Sequence, residues 1–87
     1  MFSLLEKNFF SYKQVLIILT MNKEMFIYEI AKKSDVSYSH VHKIITMLEN
    51  KDIITKKAIR GRRAYIKLTI KGEKLRTLYN EIVELIK

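Results

Sequence analysis

The chain has 87 residues with no Cys and no Pro, and its 17 Lys and Arg residues exceed its 9 Asp and Glu residues to give a formal net charge of +8. A hydrophobic content of 48% predicts one folded domain, while the absence of Cys excludes disulfide bonds and thiolate metal sites. The positive charge favours a polyanionic partner, which is either nucleic acid or an acidic membrane surface.

The first 22 residues predict two helices. The first is indicated by apolar residues at three- and four-residue spacing, which are Phe2, Leu5 and Phe9. Ser11 and Gln14 then form a capping-box pattern, so a second helix is predicted to begin at residue 12. We expect this helix to end near Asn22. Its predicted inward residues are Val15, Leu16 and Leu19.

Residues 25–51 predict a brief strand, a short helix, a tight turn and a longer helix. The strand spans residues 25–27 and the short helix spans residues 28–33. In the polar turn, Asp35 is expected to adopt a left-handed backbone conformation and Ser37 to cap the longer helix. That helix runs from residue 38 to about residue 51. Its inward residues recur at helical spacing and are Val41, Ile44, Ile45 and Leu48.

After Asp52 the apolar period changes from helical to alternating. Residues 54–59 and 64–70 predict two strands, and the connection at residues 60–63 joins them as a hairpin around Gly61. In the second strand one side carries Ile66, Leu68 and Ile70. The chain is expected to re-enter a helix at Thr69 or soon after. The stripe of this last helix is Leu75, Leu78, Tyr79, Ile82 and Leu85 or Ile86.

This order of elements is the order of a winged helix-turn-helix domain. We therefore predict an α+β fold that is mostly helical, with a two-stranded β-hairpin wing and extra terminal helices. Residues 1–87 are predicted to form a single winged-helix domain.

Four stretches resemble MarR-type and related archaeal and bacterial winged-helix regulators. They are IAKKSDVS at residues 30–37, VHKII at 41–45, LENKDII at 48–54 and LTIKG at 68–72. The resemblance covers residues 12 to 75 and implies that Thr69 caps the last helix. Asp52 stands where such proteins commonly have Gly, and the hairpin tip lacks their usual acidic residue. The chain is also shorter than most members, which argues against a small-molecule effector.

The predicted recognition helix, residues 37–51, presents polar side chains opposite its apolar ones. Side chains of this kind read base edges in the major groove or hold phosphates near a helix start. A polar helix face that is simply solvated is the alternative interpretation. The predicted DNA contacts of this helix are Ser37, Tyr38, Ser39, His42, Lys43 and Thr46.

The predicted wing, residues 56–67, contains six basic residues and no acidic residue. Like charges on a short hairpin repel one another, which indicates that these basic residues bind an anionic partner. The predicted contacts to a minor groove or to phosphates are Lys57, Arg60, Arg62 and Arg63. The alternative is a charged edge that protects the hairpin from aggregation.

The sequence predicts neither an enzyme nor a metal or cofactor site. His40 and His42 are two residues apart, so on a helix they point in different directions and cannot share one metal ion. No nucleophile and base pattern, glycine-rich phosphate loop or paired carboxylate motif is present.

The two ends of the chain carry more apolar residues than one small core needs. We therefore predict that residues 1–10 and 71–87 are dimerisation segments of a homodimer. The alternative is that both ends close the core of a monomer.

These observations predict a dimeric transcriptional regulator that binds specific double-stranded DNA. Two alternatives stay open: a winged-helix module that binds another protein, and an architectural DNA-binding protein without sequence preference. The longest apolar run has five residues, far below the roughly 20 that cross a bilayer. No secretory signal pattern is present either, so we expect a cytoplasmic location without membrane attachment.

Overall fold

The computed structural model describes residues 10–58 and 64–87 and contains four helices and three strands in that part of the chain. The elements of this part are α1 (Tyr12–Thr20), β1 (Met25–Phe26), α2 (Ile27–Ser34), α3 (Tyr38–Asn50), β2 (Ile54–Ala58), β3 (Ala64–Leu68) and α4 (Ile70–Ile86). The predicted helix around Phe2, Leu5 and Phe9 lies outside the described residues, as do the tip residues Arg60, Arg62 and Arg63.

Local hydrogen bonds begin the helices where the sequence predicts. At α1 the Ser11 N–H donates to Gln14 Oε1 at 2.9 Å and the Gln14 N–H donates to Ser11 Oγ at 3.4 Å, which confirms the capping box. At α3 the hydroxyl of Ser37 accepts the His40 N–H at 3.3 Å. Asp35 has φ 57° and ψ 36°, so the predicted left-handed turn between α2 and α3 is also confirmed.

The three strands form one antiparallel sheet in the order β1-β3-β2. The hairpin of β2 and β3 is as predicted, and the two-residue strand β1 adds to it by pairing with β3. Buried residues on one face pack against the helices, and they are Met25, Ile54, Ile66 and Leu68. The sheet therefore has an inner face on the core and an outer face toward solvent.

Two predictions about burial differ from the structure. In α1 the fully buried residues are Ile17 and Ile18, whereas the predicted inward residues are only partly buried. Five consecutive apolar residues allow several stripes, and tertiary packing selects one of them. Ile70 was expected to share one side of the strand with Ile66 and Leu68, which are buried, but it is 78% exposed because the cap at Thr69 ends the strand and Ile70 begins α4, as expected for a helix that starts near Thr69.

The segment after α3 is tied to the start of α4. Asp52 adopts the left-handed conformation at φ 61°. The Thr69 hydroxyl lies 2.8 Å from the Asp52 carbonyl oxygen and accepts the Gly72 N–H at 3.0 Å, so the expected cap is confirmed. The Thr69 N–H donates to the Ile53 carbonyl oxygen at 3.0 Å. These bonds fix α4 relative to the C-terminal end of α3.

Candidate nucleic-acid interface

Helix α3 separates apolar from polar residues sharply. One side is buried in the core and consists of Val41, Ile44, Ile45 and Leu48. The residues predicted to face outward are all exposed, and they are Ser37, Tyr38, Ser39, His42, Lys43 and Thr46. Because the buried side fixes the rotation of the helix about its axis, the same polar residues always face solvent.

The exposed residues of α3 lie in two adjacent rows. Tyr38, His42 and Thr46 follow one another at four-residue spacing, and Ser39 and Lys43 form the neighbouring row. The Tyr38 and His42 rings are 6.4 Å apart at 45°. The Thr46 hydroxyl donates to the His42 carbonyl oxygen at 3.0 Å, which leaves its methyl group and oxygen lone pairs outward.

The start of α3 offers backbone donors as well as side chains. Helix geometry gives the N–H groups of Tyr38 and Ser39 no acceptor within the helix. The Ser37 oxygen is already engaged by the His40 N–H, so this hydroxyl remains available only as a donor or a weaker second acceptor. Such a helix start suits a phosphate oxygen.

Strand β2 lies beside α3 and carries two exposed lysines. The register pairs Lys57 with Tyr65 on the outer sheet face, whereas Lys56 pairs with buried Ile66 on the face that the helices cover. Lys56 is therefore on the same side of the sheet as α3. The sequence interpretation named Lys57 and omitted Lys56; the alternation from buried Ile54 could have identified it.

The lysines of this surface have no ion-pair partner among the described residues. Within residues 10–58 and 64–87 the single ion pair joins Lys87 to Glu84 at the far end of α4, at 3.1 Å. Lys43, Lys56 and Lys57 have no carboxylate partner in that part of the chain. An anionic ligand would thus meet unpaired ammonium groups.

Helix α4 divides into a packed half and an open half. Its first turns contact α1 and β3, where Arg76 Nε donates to the Leu19 carbonyl oxygen at 3.2 Å. Burial raises the pKa of the Tyr79 phenol above its usual value of 10.0. The open half exposes a run of large apolar side chains, which are Leu78, Ile82, Val83, Leu85 and Ile86.

Other kinds of site find little support in the described part of the chain. Among those residues no group of three or more His, Asp or Glu side chains is arranged to hold a metal ion. The same residues include no helix with the length and apolar character needed to span a membrane.

Comparisons with known proteins agree with this architecture. The model of a family described as "Sugar-specific transcriptional regulator TrmB" matches residues 12–80. AF1382 from Archaeoglobus fulgidus is similar in structure, with a TM-score of 0.82 and 26% identity over 93% of this chain and 94% of that chain. A comparison with curated proteins found no match.

Longer regulators share the same fold. MepR, a transcription regulator of a Staphylococcus aureus multidrug efflux pump, has a TM-score of 0.78 and 23% identity over 97% of this chain and 64% of its own. A MepR mutant from S. aureus bound to an oligodeoxyribonucleotide has a TM-score of 0.78 and 24% identity over 94% of this chain and 64% of its own. The predicted winged helix-turn-helix fold is confirmed.

Proposed function

The chain belongs to the TrmB family of transcriptional regulators, and from this premise we propose that it binds specific double-stranded DNA sequences as a homodimer. The family consists of DNA-binding winged-helix transcription regulators and not of enzymes. Such a regulator acts where the chromosome lies, and the cytoplasm is the proposed location.

One observation carries the proposal of specific binding: the polar side of α3 is exposed while its apolar side is fully buried. An α-helix fits the major groove of DNA, where each base pair has a distinct pattern of donors and acceptors. Tyr38, His42 and Thr46 would read base edges, and Lys43 would meet a guanine edge or a phosphate. Ser37 and Ser39 would hold a phosphate at the helix start.

The wing would supply contacts that do not depend on base sequence. Lys57, Arg60, Arg62 and Arg63 would meet phosphates or a minor groove, and Lys56 joins them because it shares the side of α3. Neutralised phosphates release counterions, so this part of the affinity falls steeply with salt.

The open half of α4 supports the proposed homodimer. Leu78, Ile82 and Leu85 follow one another at spacings of four and three residues and are at least half exposed. This a/d spacing is that of a helix that pairs with another helix. Together with residues 1–10, residues 71–87 would bring two α3 helices about one DNA turn, roughly 34 Å, apart.

Selection of bound sites from a pool of random duplexes tests the proposal. Enrichment of a two-fold symmetric sequence is expected. Duplex binding that weakens with salt but enriches no sequence would identify an architectural protein. Absence of duplex binding at low salt would identify a protein-interaction module.

The selected site then allows a test of base reading by His42. We expect His42→Ala to reduce the preference for the selected site over random duplex by about 5- to 100-fold, because one good base contact discriminates by about 1–3 kcal/mol. His40→Ala is the matched control, since His40 is also exposed but points about 200° away around the helix. Equal losses on both duplexes would exclude base reading by His42.

A further inference from the structure

The outer face of the sheet combines aromatic and basic side chains. Its residues are Phe26 on β1, Tyr65 and Lys67 on β3, and Thr55 and Lys57 on β2. The register aligns Phe26, Tyr65 and Lys57 in one row across the three strands, and Thr55 beside Lys67 in the next. This outer sheet face is separate from the polar side of α3, because the core lies between the inner face of the sheet and the helices.

The aromatic rings of this region are nearly parallel. The Phe26 and Tyr65 ring centroids are 4.5 Å apart with planes inclined by 20°, and those of Phe26 and Tyr28 are 5.7 Å apart at 11°. The Phe26–Tyr65 contact helps to hold the two-residue strand β1 against β3. Tyr28 extends the group of nearly parallel rings and is 49% exposed.

The charge around the rings is positive. Lys57 is the register partner of Tyr65 on β2, and Lys67 lies two residues further along β3, so two lysines occupy positions next to Tyr65 on this face. Glu29 lies beside this region, and its carboxylate accepts the Phe26 N–H at 3.0 Å. None of the described outer-face positions on the strands is acidic.

We propose that the outer sheet face binds single-stranded nucleic acid by stacking unpaired bases on its aromatic rings. Every base has a π-face, so aromatic platforms bind single strands with little sequence preference, and adjacent cations meet the phosphates. Paired bases inside a duplex do not offer their faces. The site is therefore distinct from the polar side of α3, although Lys57 is also a proposed phosphate contact of the wing.

Fluorescence anisotropy with labelled dT12 and U12 tests this site with one DNA strand and one RNA strand. We expect Tyr65→Leu to weaken binding of the single strand by about 5- to 100-fold, the range for loss of one stacked base. Tyr65→Phe keeps the ring and is expected to bind within about twofold of the unchanged chain. A blunt-ended DNA duplex, which has no unpaired loop, should bind Tyr65→Leu and the unchanged chain equally.

A spectroscopic signature separates stacking from charge alone. The chain has no Trp, so Tyr65→Trp introduces a single indole whose fluorescence should be quenched by dT12 but not by a blunt-ended duplex. Tyr28→Leu, at the more exposed ring, provides a second variant if Tyr65→Leu unfolds. His42→Ala should weaken binding of a blunt-ended duplex that carries the selected site and leave dT12 binding unchanged, so the two sites can be tested separately.

Three outcomes would overturn the proposal. The first is that dT12 and U12 do not bind the unchanged chain. The second is that Tyr65→Leu and Tyr28→Leu both bind the single strand as well as Tyr65→Phe does, which would leave the rings a purely structural role. The third is an equal loss of single strand and duplex by a folded Tyr65→Leu variant.

Discussion

Gly72 occupies a position where a side chain has no room. A Cβ atom there would collide with the Ile53 carbonyl oxygen and lie 3.1 Å from Leu68 Cδ2. The same carbonyl oxygen accepts the Thr69 N–H at 3.0 Å. Since the obstacle is backbone, no change of side-chain rotamer can relieve the collision.

We expect Gly72→Ala to lower the free energy of unfolding by about 1–2 kcal/mol. Ala is favoured over Gly inside a helix by about 1 kcal/mol, but overpacking against backbone costs up to about 3 kcal/mol and outweighs that gain. Urea unfolding at one fixed protein concentration measures the change, because dimer stability depends on concentration. Lys74→Ala, exposed on the same helix, should stay within about 0.5 kcal/mol of the unchanged chain. A Gly72→Ala variant as stable as the Lys74→Ala variant would contradict the expected collision between a Cβ atom at position 72 and the Ile53 carbonyl oxygen.

At the scale of elements, the wing is the proposed source of the electrostatic part of duplex binding. Arg62 is a tip residue named from the sequence. We expect Arg62→Ala to weaken binding to specific and random duplexes alike and to reduce the slope of log K against log salt by about 1, because one fewer counterion is released. Titrations at several salt concentrations give the slope. Lys87→Ala, at the far end of α4 from the wing, should leave it unchanged. An unaltered slope for Arg62→Ala would remove this residue from the DNA contacts.

Element boundaries were predictable where the determining contacts are local. The box of Ser11 and Gln14, the Ser37 cap and the left-handed Asp35 each involve residues within three positions of one another, so the sequence contains the whole interaction. The exposed polar side of α3 was predictable for a related reason, since its four buried residues follow a clean helical repeat.

Other features depend on distant partners and escaped sequence reasoning. The buried side of α1 is chosen by contacts with α2 and α4, because residues 15–19 are all apolar. The pairing of β1 with β3 joins residues some 40 positions apart. A strand of two residues is too short for its sequence pattern to predict the strand with which it pairs. The alternation along residues 54–58 puts Lys56 and Lys57 on opposite sides of the strand, but the side that faces α3 became clear only once the helices were known to cover the inner sheet face.

At the scale of the whole molecule, two features favour the proposed homodimer: the exposed apolar residues in the open half of α4, and the fact that each chain has one α3. One recognition helix reads only a few base pairs, whereas two helices held about one turn apart double the contacts without a second diffusional encounter. Apolar residues such as Leu78 and Leu85 are costly to leave in water, and burying each fully stabilises by about 1.5–3 kcal/mol. In the proposed dimer, the same contact between α4 helices would therefore stabilise the folded protein and raise its affinity for DNA.

Ile82→Glu tests this link because Ile82 is half exposed at the centre of the apolar run. In the proposed two-fold seam it would bury two carboxylates without partners, so we expect a folded monomer by analytical ultracentrifugation. Binding to a duplex with two half-sites should weaken by about 100-fold or more, while binding to a single half-site should change little. Asn80→Glu adds the same charge about 160° away around the helix and should remain a dimer. A dimeric Ile82→Glu variant would exclude α4 as the seam, and a monomeric unchanged chain that binds both half-sites independently would exclude the homodimer itself.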